Sequence, residues 1–278
     1  MTGALYVVAT PLGNLGDLSP RAVEVLGSVG VIAAEDTRHS HILCQHWGIH
    51  TPLISLHDYN ERARLRSLIE RLQAGESIAV VSDAGTPLIS DPGYLFVRAA
   101  RQSGIPVYAV AGPSAVIAAL SVAGIPCDRF AFEGFPPSQV SARQAFFASL
   151  VHETRTLVFY ESPHRLSASL FDLSQALGGD REAALIRELT KRYEEGILGS
   201  LATLADEFSQ RLVKGECVLV VRGAEEVRRD EDCERVLRIL LEALPLRQAV
   251  DLTVAITGAA RKPLYTLALS LKKPQEHS

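Results

Sequence analysis

The sequence predicts an α/β protein with two α/β domains followed by a small helical tail. Through the first 123 residues, short and nearly continuous apolar strands alternate with amphipathic helices, the pattern of a parallel sheet covered on both faces. Beyond Ile125-Pro126 strands predominate and one extended stretch is placed to pair as a hairpin, which predicts a mixed sheet. Beyond Gly223 the charged run AEEVRRDED leads into Leu-rich periodicity at i, i+3 and i+4, the mark of short amphipathic helices. At 278 residues the chain has the length for two compact domains and an appendage. The expected divisions are 1–123, 124–225 and 230–278.

In the first domain, strands are expected at Leu5–Ala9, Gly30–Ala34, Ser77–Val81 and Pro106–Val110. Helices are expected at Pro20–Ser28, Tyr59–Ala74, Gly93–Ser103 and Ser114–Val122. Ser19-Pro20 sets a capping hydroxyl before a proline at the first helical position. Gly75 and Gly104 follow two of these helices, where a left-handed residue closes the last turn. In the second domain the expected strands are Phe130–Phe132, Thr156–Tyr160, Ala183–Glu188 and Cys217–Val221, with Tyr193–Ser200 extended beside them. Helices are expected near Ser141–Leu150 and His164–Leu177. The tail reads as helices at Cys233–Ala243, Arg247–Thr257 and Pro263–Leu271.

The composition, 47% hydrophobic and 22% charged, is that of a folded globular chain. A net charge of −4 argues against a protein covered by nucleic acid over its whole surface, yet it leaves room for a local basic patch. Arg62, Arg64, Arg66 and Arg71 form one basic group, and Arg181, Arg187, Lys191 and Arg192 a second. Both read first as solvated helix faces and strand ends. The four cysteines, Cys44, Cys127, Cys217 and Cys233, are far apart and form no C-x-x-C pair, so reduced thiols are expected. The chain enters its first strand without a basic flank and apolar run of secretory type, and no apolar run reaches membrane-spanning length. The expectation is a cytoplasmic protein without membrane contact.

Four turns stand directly after the strands of the first domain. They are Ala9–Asn14, Glu35–Arg38, Ser82–Gly93 and Ala111–Ser114. In an open α/β sheet, ligands bind outside the carboxyl ends of the strands. Gly85, Gly93 and Gly112 permit close backbone approach, Asp83 and Asp91 offer acceptors, and Ser114 opens a helix whose N–H groups point outward. Within Ser82–Gly93, the expectation is that Asp83–Thr86 meets the ligand while Leu88–Gly93 turns the chain, with Asp91-Pro92 starting the next helix. Neither G-x-G-x-x-G nor G-x-x-x-x-G-K-[ST] occurs, which disfavours dinucleotide and P-loop chemistry. A ligand held by carbonyls, N–H groups and one or two carboxylates suits a zwitterionic nucleoside such as S-adenosylmethionine.

LYVVATPLGNLGDLSPRA, AAEDTRHS, VSDAGTPLISDPG, AGPSAVIAALSVAG, FEGFPP, FYESPHR and RELTKRYEE follow one another in this order. Together they resemble the ribosomal RNA small subunit methyltransferase I family, within the tetrapyrrole-methylase superfamily, from about Leu5 to Gly223. The later QAVDLTVAITGAARKPLY resembles that family's helix-turn-helix-like tail. The resemblance implies two α/β domains of tetrapyrrole-methylase type with S-adenosylmethionine in the cleft between them, and a homodimer. It implies 2′-O-methylation of a cytidine, cytidine 1402, in 16S rRNA of the small (30S) ribosomal subunit. Carried over motif by motif, the cofactor residues are Pro11, Asp83, Ala84, Gly85, Thr86, Ser114 and Ala115, joined by Tyr160 and Leu189 from the second domain. Asp36 aligns with a proton acceptor of porphyrin-methylating relatives, which methylate carbon rather than ribose oxygen.

Methyl transfer from sulfonium to oxygen is an in-line displacement that rewards alignment, and a ribose hydroxyl must lose its proton as the bond forms. Asp36, Glu188 and a neutral Lys191 are the candidate bases, and Arg38 and Arg192 suit RNA phosphates. The histidines of His39-Ser-His41-Ile-Leu-Cys44-Gln-His46 do not set three metal ligands on one helical face, so no metal is expected and His39 is placed at the cleft. Three other readings stay open. Ser114 with His152 or His164 would make a serine hydrolase, although Val116 stands where a nucleophile elbow asks for glycine. A tetrapyrrole-like small molecule would be the substrate of a different methyltransferase. Arg261, Lys262, Lys272 and Lys273 would give the tail weak contact with nucleic-acid phosphates.

Overall fold

The computed structural model describes residues 3–225 and 229–272. The chain forms two compact units, Met1–Gly223 and Ala224–Ser278. The first opens with β1 (Leu5–Val8), α1 (Pro20–Ser28), β2 (Val31–Ala34), α2 (Thr37–His46) and β3 (Leu53–Ser55). It continues through α3 (Glu61–Gln73), β4 (Ile78–Val81), α4 (Tyr94–Gln102), β5 (Val107–Val110) and α5 (Ala115–Val122). The five strands pair in parallel in the order β3-β2-β4-β1-β5. The loops after β1, β2, β4 and β5 therefore gather at one edge, as their positions directly after strands predict. Ser19 caps α1 by accepting from the Ala22 N–H at 3.1 Å, and Gly75 and Gly104 adopt φ of 99° and 70°.

The second sheet is built from β6 (Phe130–Gly134), α6 (Val140–Ser149), β7 (Thr156–Glu161), α7 (Leu166–Leu177), β8 (Glu182–Arg187), β9 (Glu195–Ser200), α8 (Leu201–Phe208) and β10 (Cys217–Val221). Its order is β6-β7-β10-β8-β9, with only β6 and β7 parallel. The mixed sheet and the β8–β9 hairpin follow the expectation. Because side chains alternate across a pleated strand, Leu157 and Phe159 of β7, Leu185 of β8 and Leu219 of β10 enter one core with α6, α7 and α8. Their neighbours Val158, Ala184, Ile186, Val218 and Val220 face the other way, onto Val116, Ala119 and Leu120 of α5. The helix AVIAALSV buries Val116, Ala119 and Leu120 on this face of the second sheet, while Ile117 and Val122 on its other side are more than half exposed.

Three elements are absent from the expected series. β3 is a three-residue, half-buried edge strand, too short for its alternation to register. The sequence of α2, TRHSHILCQH, is mostly polar, and its helix is anchored by the Asp36 cap and the buried Leu43 and Cys44. LATLADEF of α8 follows β9 without a break, and only its cap at Ser200 marks the change.

Glu61 is 5% exposed and its carboxylate accepts from the Phe96 N–H at 2.9 Å. It thus supplies, from α3, the cap that Gly93 cannot give α4. Glu61→Ala leaves that buried N–H without a partner and is expected to cost about 1–3 kcal/mol. Denaturant unfolding with an unchanged slope checks it, and a loss below about 0.5 kcal/mol would reject the cap.

The second unit contains α9 (Arg229–Ala243), α10 (Leu246–Thr257) and α11 (Arg261–Lys272), closed around Cys233, Leu237, Ala249, Val250, Leu264 and Ala268. α9 begins inside the charged run read as a linker, and residues 226–228 of that run lie outside the described residues, as does Lys273. Among the described residues no helix is long and apolar enough to cross a membrane.

Candidate active site

The loops at the carboxyl edge of the first sheet are stitched to one another. Thr10 and Gly85 exchange backbone hydrogen bonds of 2.9 and 3.0 Å, and the Thr10 hydroxyl donates to the Ser82 carbonyl at 3.1 Å. The Thr86 hydroxyl donates to the Pro113 carbonyl at 3.0 Å. One oxygen of Asp83 accepts from the Asp36 N–H at 3.1 Å. Gly85 has φ of 79° and sits against Leu12, which glycine alone allows at low cost.

Between this edge and the second sheet lie two cavities. The first, about 340 Å³, is lined by Leu12 and Ala84–Thr86, by Ile89–Asp91, by Ser114 and Ala115, and by Phe135, Tyr160–Pro163 and Gly215–Val218. The second, about 430 Å³, is lined by Thr10–Gly13, Leu15, His39, Ser40, Ile42, Leu43, Ser82–Ala84, Lys191 and Glu216. Of the expected cofactor residues, Ala84, Gly85, Thr86, Ser114, Ala115 and Tyr160 meet in the first cavity, whereas Pro11 and Asp83 line the second. Leu189 lies in the core with Val116 and Val218.

Asp91-Pro92 does not start α4, which begins at Tyr94 after Gly93 turns the chain with φ of 115°. Leu88 and Ser90 are left-handed as well, with φ of 74° and 66°. These turns swing Ile89, Ser90 and Asp91 into the first cavity. The DPG signal marks the end of the wall, not the start of the helix.

FYESPHR and FEGFPP are tied together. Arg165 donates to the carbonyls of Pro136 and Pro137 and faces Glu161 at 3.4 Å. The buried Glu161 also accepts from the Ser162 N–H at 2.8 Å and from the Ser169 hydroxyl. This holds Phe135 edge-on to Tyr160, 5.4 Å between ring centres. Burial pushes the Tyr160 phenol and the Cys217 thiol up to about 12, so both stay neutral. Among the described residues no histidine lines the first cavity, so neither His152 nor His164 stands with Ser114 there.

Among the described residues no lysine or arginine lines the first cavity either, while Asp91, Glu161 and Glu216 do. Burial pushes Asp91 up to about 6; the Ser82 hydroxyl opposes this, and the charges of Glu35, Asp83 and Asp58 add to it. Such a wall disfavours a phosphate and favours a ligand with a positive centre. Its volume is that of a small-molecule site, and S-adenosylmethionine fits on both counts.

RELTKRYEE makes the opposite wall of the second cavity. Glu188 and Thr190 have φ of 54° and 64°, a strained turn of the kind that gathers at functional sites. It returns Lys191 so that its ammonium donates to Glu188 at 2.9 Å and to Glu216 at 3.2 Å. Its stem crosses Gly13, where any Cβ would lie within 2.3 Å of it. Burial pulls the Lys191 ammonium down, but the two carboxylates outweigh that and hold it above its ordinary range. Asp36 caps α2 and grips Arg38 at 2.6 Å, and the hydrogen bonds from Arg38 hold its carboxyl far below the usual range. Arg38 is exposed, and Arg192 lies over the Tyr193 ring at 5.5 Å. Among the described residues, no group of three His, Cys, Asp or Glu side chains is disposed to hold a metal.

Glu161, Glu216, Phe135 and Cys217 join the site without a sequence signal, and Asp91, an acceptor by its place in the loop, joins the donor wall. FEGFPP and the glutamate before β10 carry no chemical pattern of their own, and only the pairing of β6 and of β10 with β7 brings them to this edge.

The description "Tetrapyrrole (Corrin/Porphyrin) Methylases" matches residues 4–205, and "RsmI C-terminal HTH domain" matches residues 228–272. The chain is 52% identical to ribosomal RNA small subunit methyltransferase I of Xylella fastidiosa (strain Temecula1), covering 95% of this chain and 98% of that protein. It is 50% identical to the protein of the same name from Pseudomonas aeruginosa, covering 96% and 97%. The structure of a uroporphyrin-III C-methyl transferase from Thermus thermophilus complexed with S-adenyl homocysteine superposes with a TM-score of 0.55. That match has 16% identity and covers 78% of this chain and 97% of that one. At that identity it is the fold that is shared: two α/β sheets flanking a cleft. With half its residues in common with these relatives along nearly its whole length, the chain belongs to the ribosomal RNA small subunit methyltransferase I family of the tetrapyrrole methylases.

Proposed function

We propose that this protein transfers a methyl group from S-adenosylmethionine to the 2′-oxygen of cytidine 1402 in 16S rRNA of the small ribosomal subunit. The observation that carries this reading is the half-identity, over both the α/β unit and the helical tail, to relatives named as ribosomal RNA small subunit methyltransferase I. When bound, S-adenosylmethionine supplies an electrophilic methyl group on a sulfonium. Ala84, Gly85, Thr86, Ser114, Ala115 and Tyr160 would hold it in the first cavity, with Pro11, Asp83 and Leu189 supporting the loops around it. The second cavity receives the ribose. There Lys191 acts as an ammonium, steadying charge on the acceptor oxygen, while Asp36 and Glu188 keep Arg38 and Lys191 in place. Arg38 and Arg192 are suited to phosphates at the rim.

Arg247, Arg261, Lys262 and Tyr265 line one open groove of the helical unit, a second surface suited to RNA. The protein would work as a homodimer in the cytoplasm, and light scattering should return twice its 30.1 kDa. The decisive test incubates the protein with labelled S-adenosylmethionine and either 30S particles or bare 16S rRNA from a strain lacking this activity. Label on the 2′-oxygen of cytidine 1402 is expected. Failure of both substrates with donor binding intact would overturn the rRNA assignment and favour a tetrapyrrole-like substrate.

A pH dependence follows from Asp91. Its carboxyl titrates near 6, so it is charged only above that point. A cationic donor favours the charged form, and donor affinity should rise with pH through about 6, by at most about tenfold per unit. Asp91→Asn should bind more weakly and lose that slope between about pH 5 and 7. Calorimetric titration reads both, and a slope retained in the variant would clear Asp91 of the effect.

A further inference from the structure

The two cavities share three lining residues, Leu12, Ala84 and Glu216. Leu12 and Ala84 carry no ionisable group, so Glu216 is the one titratable side chain, among the described residues, that borders both. We propose that Glu216 is the general base that takes the 2′-hydroxyl proton during methyl transfer. This rests on the reading of the first cavity as the donor site and the second as the acceptor site.

The local geometry suits the role. The Glu216 backbone is fixed on both sides, its N–H donating to Glu188 Oε1 at 3.1 Å and its carbonyl accepting from the Glu188 N–H at 3.0 Å. Gly215, with φ of 87°, leaves no room for a Cβ beside the Glu188 carboxylate and brings the chain close to it. Lys191 holds Glu216 Oε2 at 3.2 Å, and no described residue hydrogen-bonds Oε1. One oxygen is anchored, and the side chain, 73% exposed, borders both cavities. The other carboxylates are worse placed. Asp36 is gripped by Arg38, and Glu188 is held by Lys191. Asp91 lines the donor cavity but not the acceptor cavity, and Asp83 spends one oxygen on the Asp36 N–H.

In the step, a lone pair of the ribose oxygen forms the new O–C bond as the S–C bond breaks. That bond's electron pair stays on sulfur, and a sulfonium becomes a neutral thioether. The hydroxyl proton passes to Glu216 Oε1, leaving a ribose ether and a carboxyl that returns its proton to water. The hydroxyl becomes acidic only as the new bond forms, so a carboxylate is base enough if it is in place at that moment.

The test compares wild type, Glu216→Gln, Glu216→Asp, Glu216→Ala and Asp83→Asn in methyl transfer to 30S particles, with donor affinity measured separately. Glu216→Gln is expected to lose about 10²–10⁴-fold in kcat. Its KM for the particle should stay within about threefold of wild type, and its donor Kd, with one acidic group of the donor wall lost, should weaken far less than kcat falls. Glu216→Asp should keep part of the rate, and formate should restore part of it to Glu216→Ala. Turnover of Glu216→Gln near the wild-type rate overturns the assignment. So does a loss that appears wholly in Kd or KM, or a kcat loss confined to Asp83→Asn. A wild type that methylates no RNA overturns the rRNA reading and this base with it, an outcome separable from failure of Glu216 alone.

Discussion

Arg143→Met is expected to destabilise the α/β unit by about 3–5 kcal/mol, among the largest losses available to a single substitution in this fold. Arg143 of α6 and Asp172 of α7 pair at 2.6 Å with side chains 5% and 4% exposed. Gln144 donates to the second Asp172 oxygen at 3.0 Å. Methionine keeps most of the arginine's volume but strips the partner from a carboxylate that water cannot reach. The cost is therefore that of an uncompensated buried charge, not of a cavity. A drop in Tm on the order of 10 °C should accompany it. Adding Asp172→Leu removes the stranded charge, and the double variant should recover most of the loss. Both are read by thermal and denaturant unfolding; a single variant within about 1 kcal/mol of wild type would show that the pair contributes little.

Lys191→Met should lower kcat about 100–1,000-fold while leaving donor affinity near its wild-type value. Lys191 is the lysine or arginine that lines the acceptor cavity, and no other does so among the described residues. Methionine preserves the stem packed across Gly13 but removes the ammonium that meets Glu188 and Glu216. Single-turnover methylation of 30S particles measures the chemical step, and donor titration measures binding. A fall in donor affinity with kcat intact would move Lys191 out of the acceptor site. Because Glu188 is left without its cation, an unfolding curve should accompany the kinetics.

Most of the scaffold was legible because its signals are local. β1, β2, β4 and β5 are short apolar runs, and Ser19-Pro20, Gly75 and Gly104 punctuate helices by rules that involve only a few neighbours. α2 and β3 were not legible for the same reason. One is a polar helix held by its cap, and the other a three-residue edge strand, and neither carries periodicity enough to declare itself. α4 starts at Tyr94 and not at Asp91-Pro92, because two left-handed non-glycine residues, Leu88 and Ser90, are held by their surroundings against their own preference.

The sequence by itself determined the class of fold, the four loops at one sheet edge and, through motifs in order, the family and its chemistry. Each depends on residue type and spacing along the chain. Tertiary structure alone decided which groups face one another across the cleft. It put Phe135 against Tyr160 through Arg165, brought Asp91 to the donor wall, and set Glu216 where the two cavities meet. Those placements arise from the pairing of β6 and β10 with β7 and from α5 packed on the second sheet, contacts between residues far apart in the chain. The physical reason is that a side chain's chemistry is local, whereas its partner is chosen by how distant segments bury their apolar faces together.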